Sequence, residues 1–392
     1  MEKCKPKILV LLECYLPGYK YGGPVRTIAN TVEALGDYFQ FYIVTMDRDS
    51  GETIPYADIK RTQWNNVGKA MVYYLSPDEQ SFRNMVNLMN SVYADILYLN
   101  SFFSPRFSLF SVWANNSNKI KTNLLLLAPR GEFSAGAISI KSWKKKPFVF
   151  ISSLLGTHKR LYWHASTDYE KQDIIREMKI NVSRIFIAQN IPTVIKNDDN
   201  LYRYRSINEP LRVVFLSRVS RKKNIHFALE VLRKVSVPVH FDIFGPLEDK
   251  EYWSLCECIT RKLPDHISAS YKGGVTPVNV QQTLSKYDLF FFPTLGENYG
   301  HVIAESLCAG TPVLISDLTP WKNLPDKGFG WDISLDSVDK FIECIEEISG
   351  LKENEMILFR KRIIESIKNE LFNDTIIQAN KQMFEQCLNC AR

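Results

Sequence analysis

Residues 8–12 form an unbroken apolar run, the pattern of a strand covered on both faces of a parallel sheet. Pro17, Gly18, Gly22, Gly23 and Pro24 follow, and then Val25, Ile28, Val32 and Leu35 fall at the spacing of one helix face. Further strands are expected at 39–45, 70–75, 96–100, 123–128, 160–165 and 184–188. Helical patterns lie between most of them, including 78–93 and 168–179. Beyond Pro192 the pattern lapses into the polar, turn-rich segments 196–200 and 208–210, which read as a linker. Alternation then restarts, with strands at 211–217, 239–244, 267–272, 289–292 and 312–316 and helices at 225–235, 250–262, 278–286 and 300–309. From Ser337 onward the pattern is helical and amphipathic. Two such alternations in tandem predict an α/β protein of two doubly wound, Rossmann-like parallel-sheet domains. Ligands of such sheets bind at the carboxyl ends of the strands, so a cleft fed by both halves is expected.

The length of 392 residues suits two domains of ordinary size. The expected division is 1–205, an acceptor-side domain, then 206–375, a donor domain, with a helix at 376–392 packing back on the first. The longest apolar stretches fall short of the roughly 18–20 residues a membrane helix needs. No signal peptide is read at the start, so a cytoplasmic protein is expected. Cys14 and Cys308 sit in apolar patterns and read as core. Cys256/Cys258 and Cys387/Cys390 lack zinc-ligand spacing, so reduced thiols are expected rather than a metal site.

Charge changes the picture. Residues 1–205 hold 27 lysines and arginines against 18 acids, and residues 101–161 hold ten basic residues against the single acid Glu132. A basic field of that kind attracts phosphates or an anionic surface. No nucleic-acid-binding module accompanies it, and no nucleic-acid partner is expected.

The chemistry concentrates at residues 292–305. An apolar strand ends at Phe292, a loop carries Glu297, Asn298 and Tyr299, and a helix starting near Gly300 carries His301 and, in its second turn, Glu305. The N–H groups at such a helix start favour a phosphate or a sugar hydroxyl. Arg218 and Lys223 follow the first strand of the second half, a guanidinium and an ammonium suited to a pyrophosphate; Lys222 leaves that lysine ambiguous by one position. The G-x-G-x-x-G dinucleotide fingerprint is absent, which argues against a dehydrogenase.

The Glu297–Glu305 stretch resembles the paired-glutamate motif of family 4 glycosyltransferases, retaining enzymes of GT-B fold. The resemblance implies that Glu297 contacts the donor sugar, that Glu305 bonds the nucleotide ribose, and that Arg218 and Lys223 neutralise the donor diphosphate. Gly22 and Gly23 match the family's N-terminal glycine loop. The segment Ala128-Pro129-Arg130-Gly131-Glu132 is similar to one in a bacterial branch that builds cell-surface polysaccharides. Arg130 would hold an acceptor phosphate or stabilise the departing diphosphate, and Glu132 would pair with it. The segment lacks the histidine many members carry there. His164, in His-Ala-Ser-Thr where members often read His-Ala-Thr-Ser, and His301 would contact substrate. Trp321 would wall the donor site or fill the core. The implied function is transfer of a hexose or N-acetylhexosamine from a nucleotide diphosphate sugar to a saccharide acceptor, possibly polyprenyl-diphosphate-linked, in O-antigen, capsule or exopolysaccharide synthesis. No metal cofactor is expected. The acceptor and the basic stretch together imply peripheral contact with an anionic membrane at its inner face, aided by Trp143 and Phe148. A sugar-nucleotide epimerase and a silent nucleotide-sugar binding protein are the competing readings.

Overall fold

The computed structural model describes residues 5–122, 124–139, 142–193, 205–206, 208–371 and 374–390. The chain divides into two compact units, residues 1–191 with 374–392, and residues 192–373.

Among the described residues, the strands of the first unit are β1 (Lys7–Leu11), β2 (Gln40–Met46), β3 (Trp64–Val67), β4 (Ala70–Leu75), β5 (Ile96–Leu99), β6 (Leu125–Leu127), β7 (Tyr162–Ala165) and β8 (Ile185–Ile187). They form one sheet in the order β3-β4-β2-β1-β5-β6-β7-β8. All pairings are parallel except β3 with β4 at the edge. Side chains alternate across a strand, and β1 shows the result. Ile8 and Val10 join the core under helix Gly23–Leu35, while Leu9 and Leu11 join the core under helices Phe82–Val92, Phe110–Asn116 and Asp168–Met178. This two-sided burial is why β1 reads as apolar without interruption. Helix Asp374–Asn389 completes the Ile8 side with Ile376, Met383, Phe384 and Cys387. The Phe384 ring meets Phe39 at 5.4 Å and Tyr98 at 5.5 Å, both edge-on.

The second unit contains β9 (Leu211–Leu216), β10 (Val239–Phe244), β11 (Ile267–Gly273), β12 (Leu289–Phe292), β13 (Val313–Ser316) and β14 (Gly330–Ile333). Its parallel sheet runs β11-β10-β9-β12-β13-β14. The order reverses between β9 and β12. Right-handed crossovers therefore send the helix after β9 and the helix after β12 to opposite faces, opening a crevice at the carboxyl ends of those two strands. At the amino ends of the same two strands, Asp288 accepts from the Arg212 backbone at 2.9 Å and from its guanidinium at 2.8 and 3.0 Å. Arg205 and Arg360 approach the same carboxylate at 3.7 and 3.8 Å.

Several elements depart from the sequence expectation. Strands β3 and β14 were not foreseen, because four-residue edge strands with Asn65, Asn66 or Asp332 in them carry too few apolar positions. The helix expected at 78–93 is a 3-10 turn, Pro77–Glu79, and then helix Phe82–Val92, whose start is capped by Ser81 Oγ accepting from Asn84 N at 3.3 Å. Arg205, expected in the first domain, lies in the second unit, tied by its guanidinium to the Ser349 carbonyl at 2.7 Å. The linker expected at 196–200 lies outside the described residues. Cys14 and Cys308 are buried thiols. Phe384→Ala removes a fully buried ring and should lower the unfolding free energy by about 3–5 kcal/mol, read by chemical denaturation; a loss near zero would contradict the packing assigned to this helix.

Candidate active site

In the second unit, the chain leaving β9 makes a 3-10 turn at Arg221–Lys223 and then a left-handed residue, Asn224, before helix Ile225–Leu232. The turn delivers Lys223 to the switch point, where its ammonium bonds the Glu297 carboxylate, and both side chains are largely buried. Of the two adjacent lysines, Lys223 is the one whose side chain reaches Glu297. Lys222 contributes its backbone carbonyl, which accepts from Leu295 N at 2.8 Å. The loop after β12 is thus hydrogen-bonded to the loop after β9.

Burial alone would raise the Glu297 carboxyl. Lys223, with Lys222 and Arg218 adding to it, outweighs that and holds it below its ordinary 4.5. Burial lowers the Lys223 ammonium, and Glu297 opposes the drop. Thr294 braces the pair from beneath. Its fully buried hydroxyl lies 3.1 Å from the Lys222 carbonyl and 3.3 Å from Glu297 Oε1. Gly296, at φ 148°, makes a turn that a side chain would strain.

Arg218 acts on both members of the pair electrostatically, while its Nη1 bonds Glu248 at 2.7 Å in an exposed ion pair. Gly245 sets the backbone beneath Arg218: at φ 137°, a Cβ there would lie 1.8 Å from the Ser217 carbonyl oxygen. No larger residue fits that approach.

Helix His301–Cys308 starts from Gly300 in the left-handed region, with no side-chain cap. Its outer face walls a cavity of about 270 Å³ that contains Glu305, His301 and Cys308, with Val278, Val280 and Gln281 opposite. The lining is largely apolar, with one carboxylate. The Tyr299 ring is buried against His301 at 4.8 Å, and its carbonyl accepts from the Trp321 indole N–H at 2.6 Å. Trp321 is therefore a buried brace behind the Glu297–Gly300 loop. Tyr299 serves the same loop from within; its side chain is core rather than a ligand contact. Asn298 is half-buried beside Glu297.

The first unit gathers its own polar cluster at the carboxyl ends of β5 to β8. Arg130, at φ 54°, donates to Asn100 Oδ1 at 2.7 and 3.1 Å, to Asn190 Oδ1 at 2.9 Å and to Tyr98 Oη at 2.7 Å. His164 Nε2 donates to the Ala188 carbonyl at 2.8 Å, which leaves Nδ1 to accept from Tyr98 Oη at 2.5 Å. Burial, with Arg130 adding to it, pushes the imidazole down to about 3. Both ring nitrogens are consumed, so His164 is not a substrate contact; it orients Tyr98, which orients Arg130. Glu132 does not pair with Arg130 either. It accepts from Ser101 Oγ at 2.8 Å and from the Phe102 and Phe103 amides, and burial raises it to about 7.

Gly22, at φ 81°, precedes helix Gly23–Leu35, which has no side-chain cap. The loop ahead of it is pinned by the Asp49 carboxylate, which accepts from Tyr19 N at 2.8 Å and Lys20 N at 3.0 Å. Although the sequence was read as holding no Asp-x-Asp metal motif, Asp47-Arg48-Asp49 has that spacing. Its carboxylates are occupied by that loop and by Arg48 and Arg61.

The family model of glycosyl transferases group 1 matches residues 198–370. That match falls within the second unit, whose sheet and switch-point loops it spans. Solved structures match along nearly the whole chain. Sucrose-phosphate synthase from Thermosynechococcus elongatus is 14% identical over 99% of this chain and 100% of its own, with a TM-score of 0.72. HepE from Anabaena, in complex with UDP and glucose, is 14% identical over 97% and 99%, at 0.67. WaaG, a glycosyltransferase involved in lipopolysaccharide biosynthesis, is 12% identical over 96% and 98%, at 0.65. These likenesses establish the GT-B class of two parallel-sheet α/β domains, as the sequence implied. No characterised protein sequence matches the chain significantly.

Thr294, Glu248, Gly245, Asn100, Asn190 and Tyr98 were missed by sequence reasoning. Asn100 and Asn190 carried a usable signal, a polar residue just past an apolar strand. Tyr98 carried none, since an aromatic inside a strand reads as core.

In the second unit, Lys223→Met leaves Glu297 buried without its partner. The wild-type pair stabilises the fold above the ordinary carboxylate range, and that stability is lost as pH falls through the depressed Glu297 pKa. In the variant the carboxyl shifts upward instead. Urea denaturation between pH 4 and 7 should show a deficit that grows with pH to about 3–5 kcal/mol; a deficit independent of pH would refute the ion pair.

Proposed function

We propose that this chain is a retaining family 4 glycosyltransferase that transfers a hexose or N-acetylhexosamine from a nucleotide diphosphate sugar to a saccharide acceptor. The observation that carries the reading is the buried Lys223–Glu297 pair at the β9/β12 switch point of a group 1 domain. The largely apolar cavity lined by Glu305 suits a nucleoside: a flat base against Val278 and Val280, and a ribose diol donating to the carboxylate. The UDP and glucose bound by HepE fit the same class of ligand.

Glycosyl transfer requires a stabilised diphosphate leaving group. Lys223 and Arg218 supply two cations, and the uncapped start of helix His301–Cys308 favours negative charge. Engaging Arg218 costs little, because opening an exposed pair such as Arg218–Glu248 is worth roughly 0–1 kcal/mol. Glu297 holds the Lys223 ammonium in place and offers its second oxygen to donor-sugar hydroxyls. The proposed course is front-face attack, in which the acceptor oxygen bonds the anomeric carbon as the bond to the diphosphate breaks. The acceptor proton passes to the departing phosphate. The first unit takes the acceptor, with Arg130 holding an acceptor phosphate. We assign the acceptor to polyprenyl-diphosphate-linked saccharides of cell-surface polysaccharide synthesis, and the protein to the periphery of an anionic membrane.

Among UDP-, GDP- and dTDP-sugars, one class should raise the melting temperature, and Glu305→Ala should abolish that shift. Lys223→Ala should lower kcat by about 10²–10³, as expected for loss of one electrostatic donor. Release of an epimerised sugar without any acceptor, or a glycosyl adduct on Glu297, would overturn the reading.

A further inference from the structure

Helix Ser142–Leu154 is inside out. Its inward face is short: Val149 is buried, and Phe148 packs on Phe102 and Phe103 at 5.7 and 6.0 Å. Its outward face is the more apolar one. Trp143 is 73% exposed, Phe150 66%, Ile151 53%, Leu154 71% and the adjoining Leu155 69%. With exposed Pro147, these positions recur at the helical spacing 143, 147, 150–151, 154 and so form one stripe. Lys144 and Lys146 lie on either side of the stripe, and Lys159 and Arg160 are exposed just beyond its end. No acid occurs between residues 133 and 167. Among the described residues, no helix is long and apolar enough to cross a membrane.

We propose that this stripe is a membrane-docking element: helix Ser142–Leu154 lies in the plane of an anionic bilayer, with Trp143, Phe150 and Leu154 among the acyl chains and the flanking basic residues on the headgroups. Solvent-facing leucines and aromatics in contiguous array are costly in water and mark a contact surface. The charge decides what is contacted. An apolar stripe edged by cations and free of acids complements an anionic lipid surface. The inference rests on the membrane-associated acceptor proposed above and names the surface that would meet that membrane.

Vesicle flotation tests it with the whole chain. Binding to phosphatidylcholine vesicles containing phosphatidylglycerol should exceed binding to phosphatidylcholine alone and fall as salt rises, since each basic residue near an anionic surface contributes roughly fivefold. The double variant Phe150→Ser/Leu154→Ser should weaken vesicle binding by about tenfold or more. Its melting temperature and any nucleotide-sugar shift should be unchanged. Quenching of tryptophan fluorescence by brominated lipid should drop in Trp143→Phe. Equal flotation of wild type and double variant would overturn the proposal. So would a wild-type dimer, seen by light scattering, that the double variant dissolves without any vesicle binding having been present. A donor-induced thermal shift with failed flotation removes only the docking helix; flotation without any donor shift removes the transferase reading instead.

Discussion

The second unit is organised around a lysine and a glutamate that would each be expensive to bury alone. Desolvating either charge costs several kcal/mol, and their attraction offsets this only with good geometry and added hydrogen bonds. Here the added bonds come from Thr294 and from the backbone linking Leu295 to Lys222. Two loops that leave different strands are therefore held in one arrangement before any ligand arrives. Such preorganisation matters where charge develops on a leaving group, because the site need not reorganise as the reaction proceeds.

The first unit reaches a similar end by neutral means. Arg130 is held by Asn100, Asn190 and Tyr98, and Tyr98 is held by a histidine that burial keeps uncharged. Amide and hydroxyl oxygens fix a guanidinium without cancelling its charge. A carboxylate in their place would fix it equally well and leave less field for an anion.

The architecture was legible in the sequence because both sheets are covered on both faces. Runs such as residues 8–12 and 289–292 then have no polar alternation to confuse them with other structure. Glu297, Arg218 and the choice among three adjacent basic residues were legible only as candidates. Sequence places them at strand ends, and a single 3-10 turn decides that Lys223 points inward. His164 misled for the opposite reason. A histidine at a strand end looks available until the positions of Tyr98 and Ala188, far off in sequence, show both nitrogens spent. Helix Ser142–Leu154 escaped because its apolar periodicity belongs to its outer face, so that the usual inference from apolar stripe to core direction is reversed.

Helix Asp374–Asn389 carries one further consequence. It supplies Phe384, Met383 and Cys387 to the core that begins with Ile8 and Val10, yet 182 residues of the second unit, 192–373, separate it from the rest of that core. Synthesis runs from the amino end, so the second unit has every residue it needs while the first still lacks one wall. On the ribosome the order of completion is inverted relative to the order of emergence. Until that wall arrives, Phe39, Phe41 and Tyr98 present bare aromatic surface, and the nascent first unit is the stage of biogenesis at which a chaperone would have something to hold.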